Sequence, residues 1–211
     1  MRKNVVMKKL LKTIIAVLAV VIIVAAGLLI KSALTSDKDA PSIMAIEADA
    51  SDRELIEYTK EILKAVGNRD YAALSAVAHT EYGVVFSPYA TVNLGTNCCF
   101  TPSQIAAFGA DTTKYIWGVY DGVGDPIEMT PAEYFDTFVF DADFTKCDDF
   151  AVDEFLRTGN SLENITEVFP GCRFVDCYMP DGENWQSLRL VFEEDEGKLM
   201  LSAVVHSENT M

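Results

Sequence analysis

Residues 185–207 read WQSLRLVFEEDEGKLMLSAVVHS, and this stretch decides the fold. Leu188, Leu190 and Phe192 recur at every second position, the period of a strand with one buried face. Glu196-Gly197 then supplies a two-residue turn, and Lys198 to Ser207 returns with Leu199, Leu201, Ala203 and Val205 in the same alternation. Unbroken pairing outward from that turn sets Leu188 opposite Val205, Leu190 opposite Ala203 and Phe192 opposite Leu201. The same register brings Ser187 opposite His206 and leaves Arg189, Glu193 and Ser202 beside them on the other face. The expected sheet therefore has one buried side and one mixed side, with His206 and Arg189 together on the mixed one.

Phe174 to Met179 reads as a further strand of this sheet, and the elements upstream are helical first. Asp52 stands at a helix start, Leu55, Ile56, Ile62, Leu63 and Val66 form an apolar stripe, and Gly67-Asn68 ends it. Asp70 opens a second helix that buries Tyr71, Leu74, Val77 and Ala78. Gly83 to Tyr89 is a strand stopped by Pro88. Thr101-Pro102 and Thr130-Pro131 are helix starts with a capping residue and an N1 proline, the second with Glu133 completing a capping box. Tyr115 to Tyr120 is a strand ended by Asp121-Gly122. Helices followed by mainly antiparallel strands make an α+β domain in which N-terminal helices pack on a curved sheet.

The N-terminal part is of a different kind. Ile14 to Ile30 is 17 residues without charge. At about 1.5 Å per residue it spans about 25 Å, and Thr13 with the stems of Lys12 and Lys31 brings it to hydrocarbon thickness. Arg2, Lys3, Lys8, Lys9 and Lys12 precede it, which orients the N-terminus to the cytoplasm and the rest outside. Val24-Ala25-Ala26 could serve a signal peptidase, but Leu28, Leu29 and Ile30 follow at once, so an uncleaved anchor is expected. The resulting division is a basic cytoplasmic segment at 1–12, a single-pass transmembrane anchor at 13–31, a flexible tether at 32–50 and an extracytoplasmic domain at 51–211.

All 32 Asp and Glu lie after Lys31, against 11 of the 17 Lys and Arg, leaving −21 on that part of the chain. Such a field repels nucleic acid, so no nucleic-acid partner is expected. Five cysteines, an odd number, leave at least one thiol free or paired between chains, and no more than one intramolecular disulfide is expected.

The order helix–helix–strand–helix–strands over residues 52–207 resembles the cone-shaped domains of the nuclear-transport-factor-2-like (cystatin-like) group. The stretches GVVFSPYA at 83–90, WGVYDGVGDPIEMTPAEYF at 117–135 and NWQSLRLVFEEDEGKL at 184–199 look like segments of uncharacterised extracytoplasmic domains of Gram-positive bacteria. The first resemblance implies a cone-like sheet, the second a surface location, and neither brings catalytic residues with it.

Chemistry is sparse in the sequence. Asp141 to Val152 has carboxylates with the look of a calcium loop, but Lys146 occupies the turn position that needs glycine and Val152 the position that needs glutamate. His79 and His206 are the only histidines and there is no CxxC pair, so no metal and no cofactor is expected. Ser187 beside His206 is the beginning of an acyl-transfer arrangement, although a regular strand offers neither a sharp nucleophile turn nor an oxyanion hole. Arg189, Trp117, Tyr120, Trp185 and Tyr89 are candidate ligand contacts, being polar-face or turn-adjacent groups at the open end of a curved sheet. The favoured expectation is a membrane-tethered binding or assembly domain without catalysis, partnered by an envelope protein or peptide. The alternative is a small-cavity enzyme, a hydrolase, using His206 with Ser187 or a carboxylate.

Overall fold

The computed structural model describes residues 43–182 and 184–209. The expected anchor at 13–31 and the basic segment before it lie outside the described residues, among which no helix is long and apolar enough to cross a membrane.

The first helix, α1 (Asp52–Gly67), is capped by Ser51, whose side chain accepts from Glu54 N–H while the Glu54 carboxylate accepts from Ser51 N–H. The cap is thus Ser51, and Asp52 is a first-turn acid favoured by the helix dipole. Asp70 caps α2 (Tyr71–Ala76) through Ala73 N–H. Thr101 and Thr130 cap α3 (Pro102–Ala107) and α4 (Pro131–Tyr134), both with N1 proline and both as complete capping boxes. The second continues as a π-helical turn over Phe135–Val139.

The main sheet has seven strands. They are β1 (Ile46–Glu47), β2 (Val84–Ser87), β3 (Cys98–Phe100), β6 (Asp149–Val152), β7 (Arg173–Met179), β8 (Gln186–Asp195) and β9 (Lys198–Glu208), in the order β3-β2-β9-β8-β7-β6 with β1 also on β9. Strands β4 (Tyr115–Val119) and β5 (Pro126–Met129) form a separate hairpin. Ile46 and Glu47, inside the stretch expected as tether, pair with Leu199 and Lys198.

Two expectations are corrected here. The sheet is mixed, because β2 runs parallel to β9. It is also open and uncurled, so the cone-like architecture and the layout likeness to the nuclear-transport-factor-2-like group do not hold. Parallel pairing needs a crossover between strands distant in sequence, which no local pattern announces.

The β8–β9 hairpin turns as expected at Glu196-Gly197, both with positive φ (52° and 81°), as a type I′ turn requires. Its register does not run unbroken. Phe192 pairs with Leu201 but Val191 pairs with Ala203, so Ser202 is an extra residue, a β-bulge. Beyond it every β9 side chain changes face. Leu199 and Leu201 therefore join Leu188, Leu190 and Phe192 on the helix-covered face, and so do Val204 and His206, whereas Ala203 and Val205 turn to the back.

The helix-covered face carries the main core. Tyr58 of α1 meets Phe192 at 5.5 Å and donates to the Leu199 carbonyl at 3.3 Å. At the β2 end lies an aromatic cluster centred on Phe86, in which Trp117 stacks on Tyr134 at 3.8 Å and donates its indole N–H to the Met129 carbonyl. The back face is covered too. Residues 153–169, with the short helix α5 (Ile165–Val168), lay Phe155, Ile165 and Phe169 over Phe174, Val191, Ala203 and Val205. No mixed, solvent-facing side exists at the hairpin: Arg189 is 0% and His206 1% exposed. All five cysteines are unpaired, with Cys147 and Cys177 buried.

Candidate functional site

His206 lies near the end of β9, where parallel pairing sets Ser87 beside Val205 and delivers Pro88 to the same place. Its Nδ1 is 3.0 Å from the Pro88 carbonyl oxygen and its Nε2 is 3.2 Å from Asp141 Oδ2. Phe138 packs an edge against the ring at 5.8 Å. Both ring nitrogens thus face acceptors, a carbonyl and a carboxylate. A neutral ring has one N–H and can donate to only one of them, whereas a protonated ring donates to both. Burial pushes the His206 pKa down, but the hydrogen bond and charge of Asp141, the Pro88 carbonyl and the charge of Glu208 outweigh it, so the pKa is raised. The Asp141 side chain is 17% exposed and is the solvent end of this pair.

His79 is built differently. Its Nδ1 accepts from the N–H groups of Glu81 and Tyr82 at 3.3 and 3.2 Å, so that nitrogen carries a lone pair. Asp195 lies 3.9 Å away and is itself an acceptor for Thr80 N–H and Oγ1–H. This approach is proximity between two acceptors and holds no shared proton.

Ser187 and His206 are not neighbours. Ser187 pairs with Ser207 and His206 with Leu188, which places the serine and the histidine on opposite faces of the sheet. Ser187 donates to Asp176 on the back face instead. Arg189 lies in the same layer: it pairs with Glu163, donates to the Arg157 carbonyl at 3.0 Å, and holds Nε 3.6 Å from Asp176 Oδ2. The Ser187–His206 acyl-transfer arrangement is therefore excluded, because a bulge moved one of its members through the sheet.

The candidate ligand contacts divide. Arg189, Trp117 and Trp185 are buried, with no face open to a ligand. Tyr89 and Tyr120 do meet, in a surface cleft of about 540 Å³ formed by the loop after β2, the β4–β5 turn and Ser161. Two asparagines shape that loop. Asn93 Oδ1 accepts from Gly95 N–H, and Asn97 accepts from Asn93 N–H and donates to the Trp117 carbonyl. Gly118, at φ 153°, allows the close approach: a Cβ there would stand 3.2 Å from Pro88 Cγ. Pro88 connects the two features, for it lines the cleft and its carbonyl lies against His206. Tyr89 packs on Phe138 at 5.9 Å, the ring that also touches His206.

Among the described residues no three His, Cys, Asp or Glu converge as a metal site. Comparisons with protein-family models, with curated proteins and with solved structures find no match to this chain. The resemblance to extracytoplasmic domains of Gram-positive bacteria accordingly carries no further weight. The expectation of a binding or assembly domain without catalysis is corrected by the site itself: the His206–Asp141 contact and the Ser187–Asp176 hydrogen bond, near a buried aromatic cluster, are more consistent with a small catalytic or binding pocket than with a purely non-catalytic assembly domain.

Proposed function

We propose that the domain is a small-pocket enzyme of hydrolase type, with the His206–Asp141 pair as its acid–base element and the cleft beside Pro88 as the substrate site. The observation that carries this reading is the buried His206 ring held between the Pro88 carbonyl and the Asp141 carboxylate, one residue behind the cleft wall. A buried titratable ring with a carboxylate partner at the solvent end is the kind of group that concentrates where a proton must be moved. No hydroxyl or thiol is bonded to either member among the described residues, so the nucleophile is water. Asp141, the solvent end, takes its proton, and His206 fixes the carboxylate's direction and balances its charge. Tyr89 and Tyr120 contact the substrate. The charge of −21 after Lys31 and the lack of any Lys or Arg in the cleft favour a neutral or cationic substrate. We further place this site outside the cytoplasm, tethered by residues 13–31.

The test is a panel of chromogenic esters, glycosides and phosphate esters offered to the soluble domain and to Asp141→Asn and His206→Gln. Turnover of one class by the unaltered domain, reduced about 100-fold or more in both variants, is the expected result for loss of general acid–base catalysis. Turnover of no class, or equal turnover by folded variants, would overturn the reading.

A further inference from the structure

The back face holds three charged groups with almost no access to water. Asp176 and Arg189 side chains are both 0% exposed and Glu163 is 11% exposed. Two carboxylates against one guanidinium leave one negative charge unbalanced in a site of low polarity, where an uncompensated charge is strongly disfavoured. Glu163 Oε1 and Arg189 Nε are both buried with no hydrogen-bond partner among the described residues. A single added proton on the carboxylates balances the charge.

Every contact of this cluster outside the sheet goes to residues 153–169. Leu156 N–H donates to Asp176 at 2.9 Å, Arg189 reaches the Arg157 carbonyl, and Glu163 itself belongs to the segment. Next to Glu163, the Asn164 side-chain amide makes two bonds with Val92, accepting from its N–H at 2.8 Å and donating to its carbonyl at 2.9 Å. Val92 belongs to the loop that walls the cleft, and Ser161 lines the cleft directly.

We infer that residues 153–169 form a strap latched to the sheet by a proton-holding Glu163–Arg189–Asp176 cluster, and that this latch regulates the wall of the cleft. Burial pushes both carboxyl pKa values up, against the opposing pull of Arg189, and the charge of Asp176 further raises that of Glu163. The charged groups facing Glu163 are Arg189 of β8 and Asp176 of β7. Asp176 faces Arg189 and the Ser187 hydroxyl, and its charge also acts on the Cys147 and Cys177 thiols. A carboxyl group with a higher pKa in the docked strap than in water binds its proton more tightly when docked. Acidification therefore holds the strap down, and rising pH loosens it. The effect on turnover rests on the proposed function, whereas the latch stands without it.

Hydrogen exchange separates the two, because its readout needs no substrate. In the full domain, protection of the Leu156 and Val92 amides, corrected for intrinsic exchange and referred to amides of α1, is compared at about pH 5 and about pH 8. Protection falling severalfold at the higher pH, with Glu163→Gln showing no such fall, is the expected result. Equal protection at both pH values, or the same fall in Glu163→Gln, would overturn the latch. Should that variant not fold, carboxyl carbon NMR of the unaltered domain decides. A raised pKa for Glu163 or Asp176 supports the latch, and ordinary values for both defeat it. A latch that responds in this way in a domain that hydrolyses nothing would refute the enzyme and keep the strap.

Discussion

The two faces of the sheet are built from the same strands and solve different problems. The helix-covered face is a continuous apolar core of Leu55, Ile62, Leu188, Leu190, Phe192 and the Phe86 aromatic cluster, with His206 as a polar intruder near the end of β9. The back face has a smaller apolar patch around Phe174, Val191 and Val205, and is otherwise held by the charges of Asp176, Arg189 and Glu163. One face is fixed by non-directional burial, the other by directed charge-assisted bonds that depend on protonation. The boundary between them along β9 is drawn by one residue, Ser202.

Inserting one alanine after Ser202 is the strongest way to break this contrast. With the one-residue bulge kept, the added residue takes the place opposite Val191 and shifts the rest of β9 by one, sending Val204 and His206 to the back and Ala203 and Val205 to the front. The expected outcome is loss of cooperative folding, read as collapse of amide dispersion in NMR spectra. A well-folded insertion variant would show that one residue of register beyond Ser202 does not set the faces. Next comes Arg189→Met, which leaves two buried carboxylates without a cation. A cost of about 3–5 kcal/mol at neutral pH is expected from urea unfolding, shrinking in acid as those carboxylates protonate. Leu190→Ala, on the other face, should cost about 2–4 kcal/mol by the same measurement with little pH dependence, the mark of a cavity. If both substitutions showed the same pH response, the two faces would not differ in kind.

The smallest effect concerns the intruder. With its pKa raised in the folded state, His206 adds stability that is fully present below the ordinary histidine value of about 6.5 and is lost as pH rises through the folded value. Asp141→Asn should remove that dependence and cost about 1–2 kcal/mol at low pH, the scale of one charge-assisted hydrogen bond. An unchanged stability–pH curve in the variant would mean that no proton is shared.

The local grammar of the chain was legible in particular residues. Asp52, Asp70, Thr101-Pro102 and Thr130-Pro131 mark helix starts, and Glu196-Gly197 turns the hairpin, because capping and turn chemistry act within four residues, although the cap of the first helix is Ser51. Alternation marked the hairpin strands at 185–194 and 198–207, and 174–179 was read as a further strand beside them. Less regular pieces escaped: β3, β5 and β6 have three or four residues, and α5 is a single turn. Tyr89 and Tyr120 were found as cleft residues from their turn positions. Asp141 was noticed only as one acid of a loop, and Asp176, Glu163 and Asn164 gave no signal, since a polar residue in a strand or loop reads as solvated until something is seen to cover it.

What the sequence determined by itself was therefore the longer elements, most of their caps and the hairpin turn, each fixed by bonds between near neighbours. Only the tertiary structure decided the parallel docking of β2 on β9, the bulge at Ser202, and with them which face each polar side chain occupies. A one-residue slip in register costs little locally and is chosen by what both faces must bury at once, so the separation of His206 from Ser187, and its union with Asp141, could be settled only by the folded whole.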